Sequence, residues 1–155
     1  MTDDSELGAL IEAFINRVSH PRGRVLAFMA KASVTVPQVI LLNFALTNPS
    51  GTPSSLAAIM KISLPSASQM IERLVKLGLA QRREDSEDRR RKTVAVTEKG
   101  KALLSRLEAV RSAEYVAGTA SLSPATRRRL AAVLSQALRD LGPSSGPKAP
   151  RAAQK

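Results

Sequence analysis

Hydroxyl, amide and guanidinium side chains gather in two short stretches of this chain. The first is Ser66-Ala67-Ser68-Gln69, with Arg73 one turn further on, after the helix-starting pattern Ser63-Leu64-Pro65. The second is the charged run Arg83-Glu84-Asp85-Ser86-Glu87-Asp88-Arg89-Arg90-Arg91-Lys92. Such groups recognise by hydrogen bonding and ion pairing. Serine and glutamine can meet base edges, and arginine can meet a phosphate or enter a narrow minor groove. Bond-making chemistry has little to work with. The chain has no Cys and a single His, His20 beside Pro21. That excludes a thiolate nucleophile, a disulfide framework and Cys-based zinc or iron–sulfur sites. One His builds no His-rich metal site, no Ser/His/Asp or Cys/His set can be assembled, and no glycine-rich phosphate loop occurs. A non-enzyme without metal or cofactor is expected, with His20 a surface or helix-end residue.

The charge balance points the same way. The 155 residues carry 24 Lys plus Arg against 13 Asp plus Glu, a formal net charge of +11. A solvated basic face would give the same total, so the distribution matters more. Residues 1–20 are net −3, residues 61–101 net +5, and the chain from Gly142 onward net +3. The positive charge sits in the middle and at the C-terminal end, which suits a polyanionic partner. No apolar run is long enough for a membrane span and no signal-peptide pattern opens the chain, so a cytoplasmic protein without a membrane role is expected. At this length a chain buries roughly two-thirds of its unfolded surface, enough for one domain with a core.

The elements that position these residues are mostly helices. Leu7, Leu10, Ile11, Phe14, Ile15 and Val18 recur at helical spacing and predict a helix over about 4–19. Pro21 and Gly23 interrupt it, and Val25, Leu26, Phe28 and Met29 resume the pattern. Thr35-x-x-Gln38 is a capping box, with Val34 and Val39 placed for a hydrophobic staple and Pro37 tolerated in the first turn. Thr52-Pro53 starts the next helix, and Ser63 caps another that Gly78 stops. Leu79–Arg83 and Thr93–Val96 read as two strands joined by a charged hairpin loop. Thr97 caps a long helix with Leu103, Leu104, Leu107 and Val110 on one face. Ser123-Pro124 starts the last, with Leu130, Val133, Leu134, Ala137, Leu138 and Leu141 expected to face inward. The breaker-rich segment from Gly142 to Lys155 reads as a disordered basic tail.

Helix, short helix, tight turn, helix, then a two-stranded ribbon with a basic loop is the order of a winged helix-turn-helix. In that arrangement the second helix of the pair enters the major groove by its N-terminal end. The loop of the ribbon reaches the neighbouring minor groove, where an arginine meets concentrated negative potential.

Here the sequence resembles the MarR family. The paired helices are Leu56-Ala57-Ala58-Ile59-Met60-Lys61-Ile62-Ser63 and Ser66-Ala67-Ser68-Gln69-Met70-Ile71-Glu72-Arg73-Leu74-Val75-Lys76-Leu77-Gly78-Leu79. The wing runs from Arg83 to Lys92, with an Asp-x-Arg motif at Asp88 and Arg90. Thr97-Glu98-Lys99-Gly100 resembles the start of the family's following helix, and Thr35-x-x-Gln38 fits the cap of its second. Together these features span residues 34–100. Lys61 stands where the family often has glycine, so the resemblance does not carry a glycine-type turn over to this chain; Pro65 replaces a residue that is usually polar.

The resemblance implies a mainly α fold: a winged helix-turn-helix with a two- or three-stranded β-wing and terminal dimerisation helices. Residues 1–33 would form the N-terminal dimerisation region, 34–100 the DNA-binding domain, 101–141 the C-terminal dimerisation helices and 142–155 the tail. The implied function is a homodimeric transcriptional regulator, commonly a repressor, that binds a pseudo-palindromic operator in double-stranded DNA. A small aromatic or anionic effector would release it.

Within that frame Ser66, Ser68 and Gln69 are candidates for base or phosphate contact, and Arg73 for a phosphate. Each is otherwise an ordinary exposed polar residue of a helix. Arg90, then Arg89, are candidates for the minor groove, with Asp88 ordering the wing through a bidentate pair. Ala67, Met70, Ile71 and Leu74 are core candidates. Phe28, Met29 and Phe44 are candidates for a ligand pocket, although apolar residues at helical spacing are usually core.

Two other function classes stay open on the sequence. One is an architectural DNA-binding protein with little sequence preference, distinguished by its ratio of specific to non-specific affinity. The other is a winged helix used for protein contact, which the arginine-rich wing disfavours.

Overall fold

The structure, a computed structural model, describes residues 4–19, 23–84 and 92–142. Seven helices and one ribbon lie among them: α1 (Asp4–Ser19), α2 (Arg24–Lys31), α3 (Val36–Thr47), α4 (Pro53–Met60), α5 (Leu64–Lys76), β1 (Ala80–Glu84), β2 (Lys92–Val96), α6 (Glu98–Gly118) and α7 (Pro124–Leu141).

Short polar residues start these helices where the sequence places them. The Thr35 backbone N–H donates to Gln38 Oε1 at 3.0 Å, one arm of the expected capping box, and Val34 beneath it is buried. Thr52 and Ser55 cap α4 reciprocally, at 2.9 and 3.2 Å. Ser63, Thr97 and Ser123 each accept a backbone N–H three residues on, from Ser66, Gly100 and Thr126. Each cap satisfies an amide that the helix's own ladder leaves open. Four of these helices also carry Pro at a first-turn position that needs no donor: Pro37 in α3, Pro53 in α4, Pro65 in α5 and Pro124 in α7.

The chain divides into two compact units. One runs from Ser33 to Arg106. Its core is built from Leu41, Leu42 and Ala45 of α3, Leu56 and Ala57 of α4, and Ala67, Ile71 and Leu74 of α5, closed by Leu79, Ala80 and Val94 of the wing. Fully burying each of the larger aliphatic side chains contributes about 1.5–3 kcal/mol. α5 packs on α4 and β1, and α3 on α4, α5 and β2. The ribbon is antiparallel, with Ala80 opposite Val96, Arg82 opposite Val94 and Glu84 opposite Lys92. Its sheet has two strands. A single bond, Val94 N–H to the Gly51 carbonyl at 2.9 Å, stands where a third strand would pair. Gly100 meets the ribbon closely: a Cβ there would lie 2.1 Å from the Leu79 carbonyl oxygen.

The other unit holds α1, α2, α6 from Leu107 onward, and α7. Val18, Met29, Leu107 and Glu114 are its buried residues. α1 and α6 approach at Gly118, where a Cβ would meet the Val18 carbonyl oxygen at 2.5 Å. The α7 stripe departs from the sequence expectation. Val133, Leu134, Leu138 and Leu141 do not face inward in the single chain: all are exposed, and α7 has no buried residue. Leu7, Leu10, Ile11 and Ile15 of α1 are exposed as well. Periodicity shows that a helix has an apolar face but not what that face packs against.

No single helix among the described residues is long and apolar enough to cross a membrane.

Candidate nucleic-acid interface

The site is built on α5. Ala67, Ile71 and Leu74 are wholly buried and anchor one side of the helix. The exposed side then follows from the helical repeat, about 100° per residue. Ser66, Gln69, Arg73 and Lys76 fall along it at offsets of three and four, and all four are exposed. Ser68 lies on the other flank and is half-buried. Of the four candidates on this helix, three therefore share a side, and the fourth is turned away from it.

At the N-terminal end the Ser63 and Ser66 hydroxyls are 2.8 Å apart, so the Ser66 side chain takes part in the cap as well as facing outward. The first turn of α5 has no acidic residue. The partial positive charge of the helix end is therefore unopposed locally, which favours an anion there. At the other end Arg73 and Lys76 occupy the last turn. Cations there also suit the helix dipole, a structural role that needs no ligand.

Beside this face runs an open groove of about 490 Å³, lined by Gln38, Gln69, Met70, Glu72, Arg73 and Lys76. Met70, read from sequence as core, is half-buried and reaches the groove. Gln38 comes from α3, with its Oε1 engaged by the Thr35 amide. Glu72 lies 3.7 Å from Arg82 of β1, an exposed pair that ties helix to ribbon only weakly. Asp88, Arg89 and Arg90 lie outside the described residues, as do His20, Pro21 and the tail from Pro143. Arg82 and Arg83 continue the described ribbon with exposed guanidinium groups. Of the ligand-pocket candidates, half-buried Phe28 and buried Met29 belong to the unit with α1 and α2, and half-buried Phe44 to the unit with α3.

Sequence reasoning missed Lys76, Gln38, Glu72 and Arg82. Lys76 was legible, three residues after Arg73 and seven after Gln69 on the same face. Gln38 was read only as a cap. Its place beside α5 depends on how α3 packs, which no local pattern encodes.

The turn between α4 and α5 is of the glycine type without a glycine. Lys61 has φ 54° and ψ 42°. For a residue with a Cβ the left-handed region costs about 1–2 kcal/mol.

Comparison with known proteins gives one family-model match, to a segment of the chain, and one fold. Residues 21–91 match the model of the MarR family. No curated protein sequence matches the chain. The transcriptional regulator Tm0710 from Thermotoga maritima is similar in structure, with a TM-score of 0.75 at 16% identity, covering 86% of this chain and 92% of that one. The YusO protein from Bacillus subtilis gives a TM-score of 0.67 at 21% identity, again covering 86% and 92%. The S. aureus MepR–DNA complex gives 0.63 at 19% identity, covering 89% of this chain and 99% of that one. The shared fold is mainly helical with a small β-wing, as the order of elements in the sequence implies.

Proposed function

We propose, from the premise that residues 21–91 are a MarR-family segment, that this protein is a homodimeric, sequence-specific DNA-binding transcription regulator acting as a repressor. The observation that carries the reading is the exposed side of α5. Ser66, Gln69, Arg73 and Lys76 lie along it, with an uncontested positive helix end ahead of them and a basic ribbon following. A helix presented in this way can put short polar groups against base edges and cations against the flanking phosphates. The fold is also that of a MepR structure solved with DNA.

The dimer is supported by the apolar faces of α1 and α7, which the single chain leaves exposed. Two-fold symmetry in the protein then asks for an inverted repeat in the operator, with half-site centres about one helical turn apart. Release by a small aromatic or anionic effector belongs to the same proposal, with Phe28 and Met29 of one unit and Phe44 of the other as the side chains to vary.

The test is selection of bound fragments from genomic DNA by the full chain, followed by footprinting at fixed salt. The expected result is a small set of sites with a protected inverted repeat. Equal affinity for selected and random duplexes would put the architectural reading ahead. Failure to bind duplex DNA would remove the nucleic-acid reading altogether.

A further inference from the structure

Two helices of this chain end in the same hydrogen-bonded motif, and only one of them has the residue that the motif favours. At the end of α5, Leu79 N–H bonds the Leu74 carbonyl at 2.9 Å and Gly78 N–H bonds the Val75 carbonyl at 2.9 Å, with Gly78 at φ 72°. At the end of α4, Ile62 N–H bonds the Ala57 carbonyl at 3.0 Å and Lys61 N–H bonds the Ala58 carbonyl at 3.2 Å, with Lys61 at φ 54°. Both are Schellman ends, in which glycine is preferred because it has no Cβ to crowd the backbone.

Nothing in the second motif calls for a lysine. Its bonds are all backbone to backbone, and glycine would keep them. The ion pairs Arg82–Glu72 and Lys101–Glu98 among the described residues do not involve Lys61, and the residue is exposed. What lysine adds is an ammonium group on a long stem. It stands two residues before the Ser63 cap, at the N-terminal end of α5, where no acidic residue of the first turn offsets it. A residue held in a disfavoured conformation at such a place points to a role for its side chain.

We propose that Lys61 is a phosphate-contacting residue of the DNA interface. Its ammonium pairs with a backbone phosphate beside the point where the N-terminal end of α5 enters the major groove. This rests on the DNA-binding reading above and adds to it a contact from the turn, outside both the recognition helix and the wing. A phosphate contact positions the protein without reading sequence, so its loss weakens all duplexes alike.

The experiment compares the full-length protein with Lys61→Gly and Lys61→Arg by thermal unfolding and by titration with operator and random duplexes over a range of salt. Lys61→Gly is expected to raise Tm by about 2–4 °C through relief of the left-handed strain. It is expected to weaken both duplexes by a similar factor and to reduce the log–log salt slope by about one unit per bound subunit. Lys61→Arg keeps the wild-type slope. The opposed signs of stability and affinity separate this role from a structural one. Unchanged affinity and slope in Lys61→Gly, with wild-type protein binding normally, would assign the lysine to the end of α4 alone and overturn the proposal. Wild-type protein that bound no duplex would overturn it together with the reading on which it rests.

Discussion

Glu114 caps a helix 90 residues away in sequence: its Oε1 accepts the backbone N–H of Arg24 at 2.8 Å. The residue before Arg24 is Gly23, at φ 58°, which has no side chain with which to cap α2. A carboxylate from α6 takes over that role, and Glu114 is only 4% exposed. Glu114→Ala should leave the amide without its acceptor and open space around it, a loss of about 1–3 kcal/mol. Glu114→Gln keeps an oxygen at the same place and should lose less than about 1 kcal/mol. Denaturant melts of the two variants decide it. Equal losses would mean that the charge, and not the bond to Arg24, stabilises this end of α2.

Gly118 should be intolerant of any side chain. A Cβ there would lie 2.5 and 2.6 Å from the carbonyl oxygen and Cα of Val18, both backbone atoms that cannot rotate away. Gly118→Ala is expected to destabilise by about 1–3 kcal/mol, or to force α1 off α6. Gly8, in the middle of α1, has nothing within 4 Å of the same added atom. Gly8→Ala should stabilise by up to about 1 kcal/mol through helix propensity. Thermal melts that shifted both variants in the same direction would contradict the packing described here.

These two relationships mark where reading the sequence stops. The caps at Thr52, Ser63, Thr97 and Ser123, and the stop at Gly78, involve neighbours a few residues away, so type and spacing reveal them. The core face of α5 followed from Ala67, Ile71 and Leu74 for the same reason. Glu114 and Gly118 act on residues about a hundred positions distant, and their types alone suggest only a solvated acid and a helix-weakening glycine. At Lys61 the residue type left the turn open, because a lysine does not announce a left-handed conformation that the surrounding backbone bonds impose. The α7 stripe was read correctly as apolar but assigned inward, since a pattern does not say whether its partner lies in the same chain.

The stripe leads to a test of assembly. Val133 and Leu138 are 65% and 68% exposed, and Leu10 on α1 is 58% exposed. Apolar surface left in this way is usually covered by a partner. Full-length protein at micromolar concentration should give twice the 16.6 kDa chain mass by light scattering. Leu138→Glu should shift it to the single-chain mass while far-ultraviolet circular dichroism keeps the helical signal. A wild-type monomer would leave these faces unexplained and remove the two-fold operator argument.

Sequence reading and phosphate contact should separate along α5. Gln69 faces outward in the first half of the helix with a side chain that can make paired bonds to a base edge. Gln69→Ala is expected to lose about 1–3 kcal/mol at the operator and little on random duplex. Ser68 is half-buried and one residue, or about 100°, round the helix. Ser68→Ala should therefore lose clearly less than Gln69→Ala, although the two are neighbours of similar chemistry. Arg73→Ala and Lys76→Ala remove charge from the last turn and should weaken every duplex, each reducing the salt slope by about one unit per subunit. Arg90→Ala in the wing is expected to behave as they do, with a larger effect on sites flanked by A·T-rich sequence. Fluorescence titrations on operator and random duplexes at several salt concentrations give all of these values. If Gln69→Ala and Arg73→Ala lowered both affinities by the same factor, α5 would be holding DNA without reading it, and the protein would be architectural rather than regulatory.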